Sequence, residues 1–428
     1  MMGEVEDYVK GKVDAYEIFY EKSEVMSVSL QGNNPDNVSE GISEGLGVRV
    51  VLGKKIGLAS TLNLSRFKEC CDTAIKIAKL NNPDHHFVKF QEKGKYSEVK
   101  ENKELASFGF EEIKKYLEDL RSEVKDADKK TKIASANYTR ALGECRIKNS
   151  EGVDVEWQTA FNSRYCELVQ GKNALGFTDE AVVPLVPKKV AEEVKRFLLM
   201  RKKKKVGSGM MEVVMHPEAF ADLLASSFHF AVDAENVFLK KSVFWDKVGQ
   251  KVFDEKLSIV DDALLEGGVR SRKCDDEGAP SRKTVLVEHG KLKGFLYDSY
   301  YGHLESKGST GNSMRSVASS PSIGPSNLIV GQGDRSTEEV LSSVKKGLYV
   351  KRMMGLHTVD SASGDFSLAV AEGQLLEKGE VKEGVKGTMI AGNLYELLKS
   401  VELGKERMYG GDGHYIPHVL TRMRVIGA

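Results

Sequence analysis

The sequence predicts an α+β fold: an N-terminal α/β region, made of a small antiparallel sheet with helices, followed by a C-terminal antiparallel β-sheet or barrel-like domain. Two observations carry this. In the first half, short runs of β-branched and aromatic residues alternate with segments whose apolar residues recur at helical spacing. From Leu257 onward the chain changes to short β segments separated by glycine, with turn signals roughly every 8 to 12 residues.

A chain of 428 residues exceeds what one ordinary core organises, and three domains are expected at 1–100, 101–205 and 206–428. In the first, Ala15 to Tyr20 and Val25 to Leu30 read as a hairpin joined by a charged turn at Glu21 to Glu24. Leu46 to Leu52 and Ile56 to Ser60 flank Gly53-Lys54-Lys55 as a second hairpin. Leu64, Phe67, Cys71, Ala74, Ile75 and Ala78 then repeat at helical spacing until Pro83 ends the run.

Lys93 to Lys103 is polar and reads as a linker. Phe110, Ile113, Leu117, Leu120 and Val124 mark a second amphipathic helix, and Lys132 to Tyr138, Glu144 to Asn149 and Val153 to Leu168 read as meander strands. Glu193 to Leu199 is a helix running into the basic stretch Arg201 to Lys205, whose common meaning is a solvated helix end at a domain boundary. Met211 to Met215 reads as a strand.

His216 to Val237 follows as a helix, with Phe220, Leu223, Leu224, Ser227, Phe228 and Ala231 on one face and Asp222 and Ser226 on the other. Beyond it, Leu257–Val260, Thr284–Val287, Lys293–Tyr297, Asn327–Val330, Gly347–Lys351, Phe366–Glu372, Gln374–Glu377 and Met423–Val425 read as strands, and Ala391 to Val401 as a late helix stopped by Gly404.

The composition excludes several function classes. Lys plus Arg and Asp plus Glu both total 63, so no long-range field draws in nucleic acid or an anionic membrane. Five cysteines without a CxxC pair argue against a disulfide framework or a zinc ribbon. The first residues lack the apolar core of a signal peptide, and no apolar run approaches the ~20 residues of a membrane helix, so a cytoplasmic protein is expected.

Chemistry-bearing residues are scattered. His216 precedes Pro217 as a helix-start residue, while His229 sits on the helix and His303 and His414 lie far downstream. Asp261-Asp262 and Asp275-Asp276-Glu277 could hold a hard cation, but their spacing matches no calcium loop or metalloprotease motif, and turn-forming aspartates account for them. Gly308 to Gly333, rich in Gly, Ser and Pro, lacks a phosphate-loop arrangement and reads as a surface loop beside a cleft. Ser361 and Ser363 have no nucleophile elbow around them.

Taken in order, SIVDD at 258–262, CDDEG at 274–278, STGNS at 309–313, PSNLIV at 325–330, SGDFSLAVAEGQLLEKGE at 363–380 and KGTMIAGNLYELL at 386–398 resemble the TldD/PmbA family, once described as modulators of DNA gyrase. GISEGLGVRVVLGKKIGLAS at 41–60 resembles that family's N-terminal domain, and the GDFS stretch points to the TldE (PmbA) branch. The resemblance implies an N-terminal α/β part and a C-terminal antiparallel sheet domain. It also implies that TldD-type subunits are zinc peptidases with HExxxH on a helix and a cysteine near the C-terminus, paired with a TldE-type subunit.

Aligned on that motif, the six positions fall on Ala225 to Phe230, and the cysteine position on Tyr409. A zinc peptidase needs two neutral imidazoles on one side of the metal and a carboxylate to take a proton from the bound water. Those roles fall to Ala225, Phe230 and Ser226, none of which performs them. His229 is one residue off, which on a helix turns its ring by roughly 100°.

The resemblance therefore implies a noncatalytic TldE-like chain with no cofactor of its own, zinc being expected in a TldD-like partner subunit. An extended peptide would add a strand near Phe366, Ser367, Leu368 and Ala369. Two alternatives stand beside this: a stand-alone peptidase with atypical ligands drawn from His216, His229, His303 and His414, and a non-enzymatic interaction protein. Partners are expected to include neither nucleic acid nor membrane, and a homodimer is left open.

Overall fold

The structure, a computed structural model, describes residues 1–31, 34–100, 103–185, 187 and 190–427. Two sheets organise it. The first is antiparallel and six-stranded: β1 (Ala15–Gln31), β2 (Asn34–Leu52), β3 (Lys55–Thr61), β4 (Lys132–Asn149), β5 (Asp154–Gln170) and β6 (Asn173–Ala181), in the order β3-β2-β1-β4-β5-β6. It curls into a half-barrel.

Side-chain alternation divides its faces. Tyr16, Ile18, Val28 and Leu30 of β1 are buried on the face covered by helices α1 (Met2–Val9), α2 (Phe67–Leu80), α4 (Phe110–Ala127) and α5 (Val190–Met200), with α3 (Lys103–Ala106) between α2 and α4. Glu17 and Phe19 point the other way, toward loops of the C-terminal domain around Cys274 and Val317.

Several expectations change here. β1 is one strand of 17 residues and not a hairpin, because Glu21 to Glu24 keep their cross-strand partners in both β2 and β4. The boundary expected near residue 100 likewise separates two halves of one sheet, since β1 pairs with β4 from Glu17 to Gln31. The second hairpin, α2, α4 and α5 lie where the sequence puts them. The polar stretch 93–103 is irregular up to 100, and its residues 101 and 102 lie outside the described residues.

The C-terminal domain is built on a twelve-stranded sheet. Five of its strands close into a barrel: β8 (Gly209–Met215), β20 (His414–Ile426), β18 (Met389–Asn393), β16 (Asp365–Glu377) and β15 (Lys346–Met354), with β15 pairing back onto β8. The expected barrel-like antiparallel domain is thus present, with a parallel β8–β15 pair at the closure. Around it lie β7 (Lys203–Lys204), β9 (Ile259–Asp262), β10 (Lys283–Glu288), β11 (Lys291–Leu292), β14 (Leu328–Val330), β17 (Glu380–Val385) and β19 (Glu402–Gly411), while β12 (Ser313–Met314) and β13 (Ser322–Ile323) pair separately.

The late helix expected over 391–401 shrinks to one turn, Leu394–Leu397, because β18 claims the residues before it. Residues 293–297 form no strand, and 366–377 are a single strand. Only the middle of 308–333, around 316–322, is exposed as a surface loop would be. Thr310, Asn312, Ser313, Ser326 and Asn327 on either side of it are buried. Asn312 and Ser326 donate side-chain hydrogen bonds of 2.7 and 2.8 Å to the buried Asp261 carboxylate. Asp275 accepts from the backbone N–H groups of Glu277, Ala279 and Ser313. The motifs at 258–262, 274–278, 309–313 and 325–330 therefore meet as one buried polar scaffold, in which Asp261 and Asp275 satisfy loop backbone and side-chain donors.

Candidate functional site

The helix that follows β8 runs over 217–232 and packs on β19 and β20. Its start is fixed chemically. His216 Nδ1 accepts the Glu218 N–H at 3.2 Å, and Pro217 occupies the first turn, where its missing N–H costs nothing. The imidazole meets the stacked rings of Tyr349 and His418 edge-on, and burial keeps it neutral by lowering its pKa well below the usual range. His216 is thus a capping residue in a packed environment.

In the middle the helix widens. Pro217–Leu223 and His229–Val232 are α-helical, but Leu224–Phe228 is a π turn in which the His229 N–H donates to the Leu224 carbonyl five residues back. A carbonyl freed by such a widening needs an outside partner. Tyr395 supplies one, its hydroxyl donating to Ser227 O at 3.1 Å. Because the turn repeats at five residues, positions 225 and 230 come onto one side, which an ordinary α-turn would not do.

The π turn covers the first four positions, 225–228, of the stretch aligned above with HExxxH, and 229 and 230 open the next α-helical turn. Leu223, Leu224, Ser227, Phe228 and Ala231 face the core, and Asp222, Ala225, Ser226, His229 and Phe230 form the open side. Ser226 spends its hydroxyl on the Asp222 carbonyl at 2.7 Å. Asp222 itself is pushed up to about 6 by burial, partly offset by Arg352.

Opposite this side stands the hairpin of β19 and β20. Its turn is Asp412-Gly413, with φ of 50° and 77°, a two-residue turn of the left-handed kind that matches strand twist. Gly410 lets the helix lie directly on β19, since a Cβ there would sit 2.7 Å from the Pro217 carbonyl oxygen. Tyr409 points its hydroxyl at Glu180 of β6, donating to Oε2 at 2.5 Å, and the Asp412 N–H reaches the same oxygen at 3.3 Å. Burial first, and then the Glu180 carboxylate, push the Tyr409 pKa up. Arg270 pairs with Asp412.

Two of the four candidate histidines meet here. His229 Nε2 lies 2.9 Å from His414 Nε2, with the rings stacked at a centroid distance of 5.0 Å. His414 Nδ1 lies 3.0 Å from the Gly411 carbonyl, which fixes the proton on Nδ1 and leaves Nε2 to accept from His229. Burial lowers both pKa values, so the pair is neutral. The other two stand apart. His216 is in the packing described above, and His303 Nδ1 lies 3.3 Å from the Lys89 carbonyl. Glu277 joins neither His303 nor His414, accepting instead from Arg49 and the Ser299 N–H, each at 2.9 Å.

The ligand set does not fit a catalytic metal. Ala225 and Phe230 present hydrocarbon, Ser226 has its proton committed, and Tyr409 is held to Glu180 as a neutral phenol. Among the described residues no three His, Cys, Asp or Glu side chains converge in an arrangement able to hold a metal ion.

At Phe366 to Ala369 the strand is paired residue by residue with β18 from Asp365 to Ala369. Phe366 and Leu368 are buried in the core, the edge facing β18 is occupied, and on the opposite edge pairing with β15 begins only at Ala369. Sequence reasoning missed Glu180 and Arg270, for which no local signal exists. It also missed the hairpin at Asp412-Gly413, for which the dipeptide is a signal.

Comparison with known proteins places the chain. Residues 208–427 match the PmbA/TldA metallopeptidase C-terminal domain and residues 16–78 match PmbA/TldA metallopeptidase domain 1. An uncharacterised protein of Methanocaldococcus jannaschii is 32% identical over 90% of this chain and 89% of its own. A metalloprotease of the same organism is 27% identical over 88% and 86%. The crystal structure of TldE from Thermococcus kodakarensis superposes with a TM-score of 0.92 at 28% identity, covering 100% of both chains.

Proposed function

Since the chain belongs to the PmbA/TldD metallopeptidase family, we propose that it is the noncatalytic, TldE-like subunit of a heteromeric peptidase whose zinc and activity reside in a TldD-like partner. The substrates of the assembly are peptides or unfolded proteins. One observation carries the reading. The helix has a π turn that brings two residues five apart onto one side, yet Ala225 and Phe230 stand there, with Ser226 where a base would stand. Loss at one position would be an accident; here both imidazole positions, the base and the cysteine position all hold side chains of another kind.

A test uses the purified chain, loaded with zinc and dialysed. Substoichiometric zinc by mass spectrometry and no cleavage of an unfolded protein are expected, with cleavage appearing when a TldD-like chain carrying HExxxH is added. Stoichiometric zinc together with cleavage by the chain alone would overturn the proposal. A second reading, a stand-alone peptidase with atypical ligands, would require metal to replace the proton shared between His229 and His414. In that case alanine at either histidine would abolish the zinc and the cleavage together.

A further inference from the structure

The turn 238–248, which follows helix 234–238, presents an apolar surface on a rigid base. Phe238, Leu239, Trp245 and Val248 are exposed, Trp245 by 48% and Val248 by 54%. The turn is pinned from beneath. Ser242 Oγ donates to Ala231 O at 2.6 Å and accepts the Phe244 N–H at 3.0 Å, while Phe244 packs edge-on against Phe253 and Tyr395 in the core. Backbone hydrogen bonds from Trp245 N to Ser242 O and from Lys247 N to Phe244 O close it.

The indole is thus held outward by a framework that has already lost its conformational freedom. An exposed tryptophan on such a framework has the character of a binding anchor, because little ordering cost remains to be met on docking.

The rim is basic. Lys240 and Lys241 are exposed and Lys247 is half-buried, against the single carboxylate of Asp246 within 238–248, while Lys251 further on is paired with Glu255. Lys240 takes the left-handed backbone that favours glycine, with φ of 56°, and its ammonium lies 4.9 Å from the centroid of the indole. The other tryptophan, Trp157, is buried where the half-barrel meets the C-terminal loops.

We infer that the Trp245 surface is the docking site for a protein partner whose face carries an apolar pocket ringed by carboxylates. Under the heteromeric reading above, on which this rests, that partner is the TldD-like subunit. Charge complementarity selects the occupant, since the lysine rim repels a basic face and steers an acidic one. An anionic lipid surface fits less well. Asp246 sits beside the indole, where lipid phosphate would oppose it and a protein could pair with it.

The test replaces Trp157 by Phe, leaving Trp245 as the sole indole, and titrates the full-length chain with the TldD-like chain. A blue shift of the emission on binding is expected. Trp245→Ala, and separately Lys240→Glu with Lys241→Glu, should weaken binding at least tenfold, and added salt should weaken it further. If the wild-type chain binds and these variants bind equally well, the surface is wrong while the heteromeric reading stands. If the wild-type chain does not bind, both fail. A blue shift with phosphatidylserine vesicles and none with the protein would overturn the protein partner.

Discussion

Asp222 lies one turn before Ser226, on the open side of the helix, and illustrates how far a single side chain can be read from the sequence. Its place on the face opposite Phe220 and Leu224 follows from helical spacing alone. Its protonation does not, because burial raises it and burial depends on what packs above. With a folded value of about 6 against 3.8 for the free side chain, the folded state holds the proton more tightly than the unfolded state. That stability is present below about pH 4 and is lost as the pH rises to about 6. Asp222→Asn should therefore leave the unfolding free energy from urea titration unchanged at pH 4 and raise it at pH 8, by roughly 1–2 kcal/mol for a half-buried group. The histidines follow the same logic. Pro217 beside His216 announces a helix start, whereas nothing local announces that His229 and His414 touch, since 185 positions separate them.

Among elements, the sheets and helices with strong periodicity were legible, and the errors have physical causes. Glu21 to Glu24 look like a turn because four mostly charged residues interrupt a hydrophobic run. They stay in β1 because the long strand carries them past its covered face, where Glu24 pairs with Arg140 across the sheet. The π turn is invisible to a search at 3.6-residue spacing, which tolerates one extra residue without losing its apolar face. The close approach of helix and hairpin also escapes the sequence, although Gly410 is its signature. Gly410→Ala would press a methyl group onto the Pro217 carbonyl and the Ala221 side chain. It should cost about 2 kcal/mol, measured by denaturant unfolding, because both neighbours belong to a helix packed into the core.

At the scale of the whole molecule, the two sheets meet through charge as well as through Phe19, Trp157 and Val317. Arg49 of β2 binds Glu17 of β1 and Glu277 of the C-terminal domain, each at 2.9 Å, and Arg315 reaches back to Glu17 at 2.5 Å. The resemblance at 41–60 and 274–278 marked the sequences involved without telling that they face each other. Arg49→Ala leaves two buried carboxylates short of a partner, a change that costs about 3–5 kcal/mol in such settings. Calorimetry should show one unfolding transition for the wild-type chain, and for the variant a transition at lower temperature that splits in two if the interface opens first. The barrel carries a further consequence. β20 is the last of its strands to be synthesised, and it hydrogen-bonds on one side to β8, the first, and on the other to β18. While the ribosome is still adding residues 414–426, the half-barrel sheet is complete but the ring has a gap between β8 and β18. The C-terminal domain must therefore wait as an open sheet with bare edges, the state in which a nascent chain depends most on chaperones or on prompt capture by a partner.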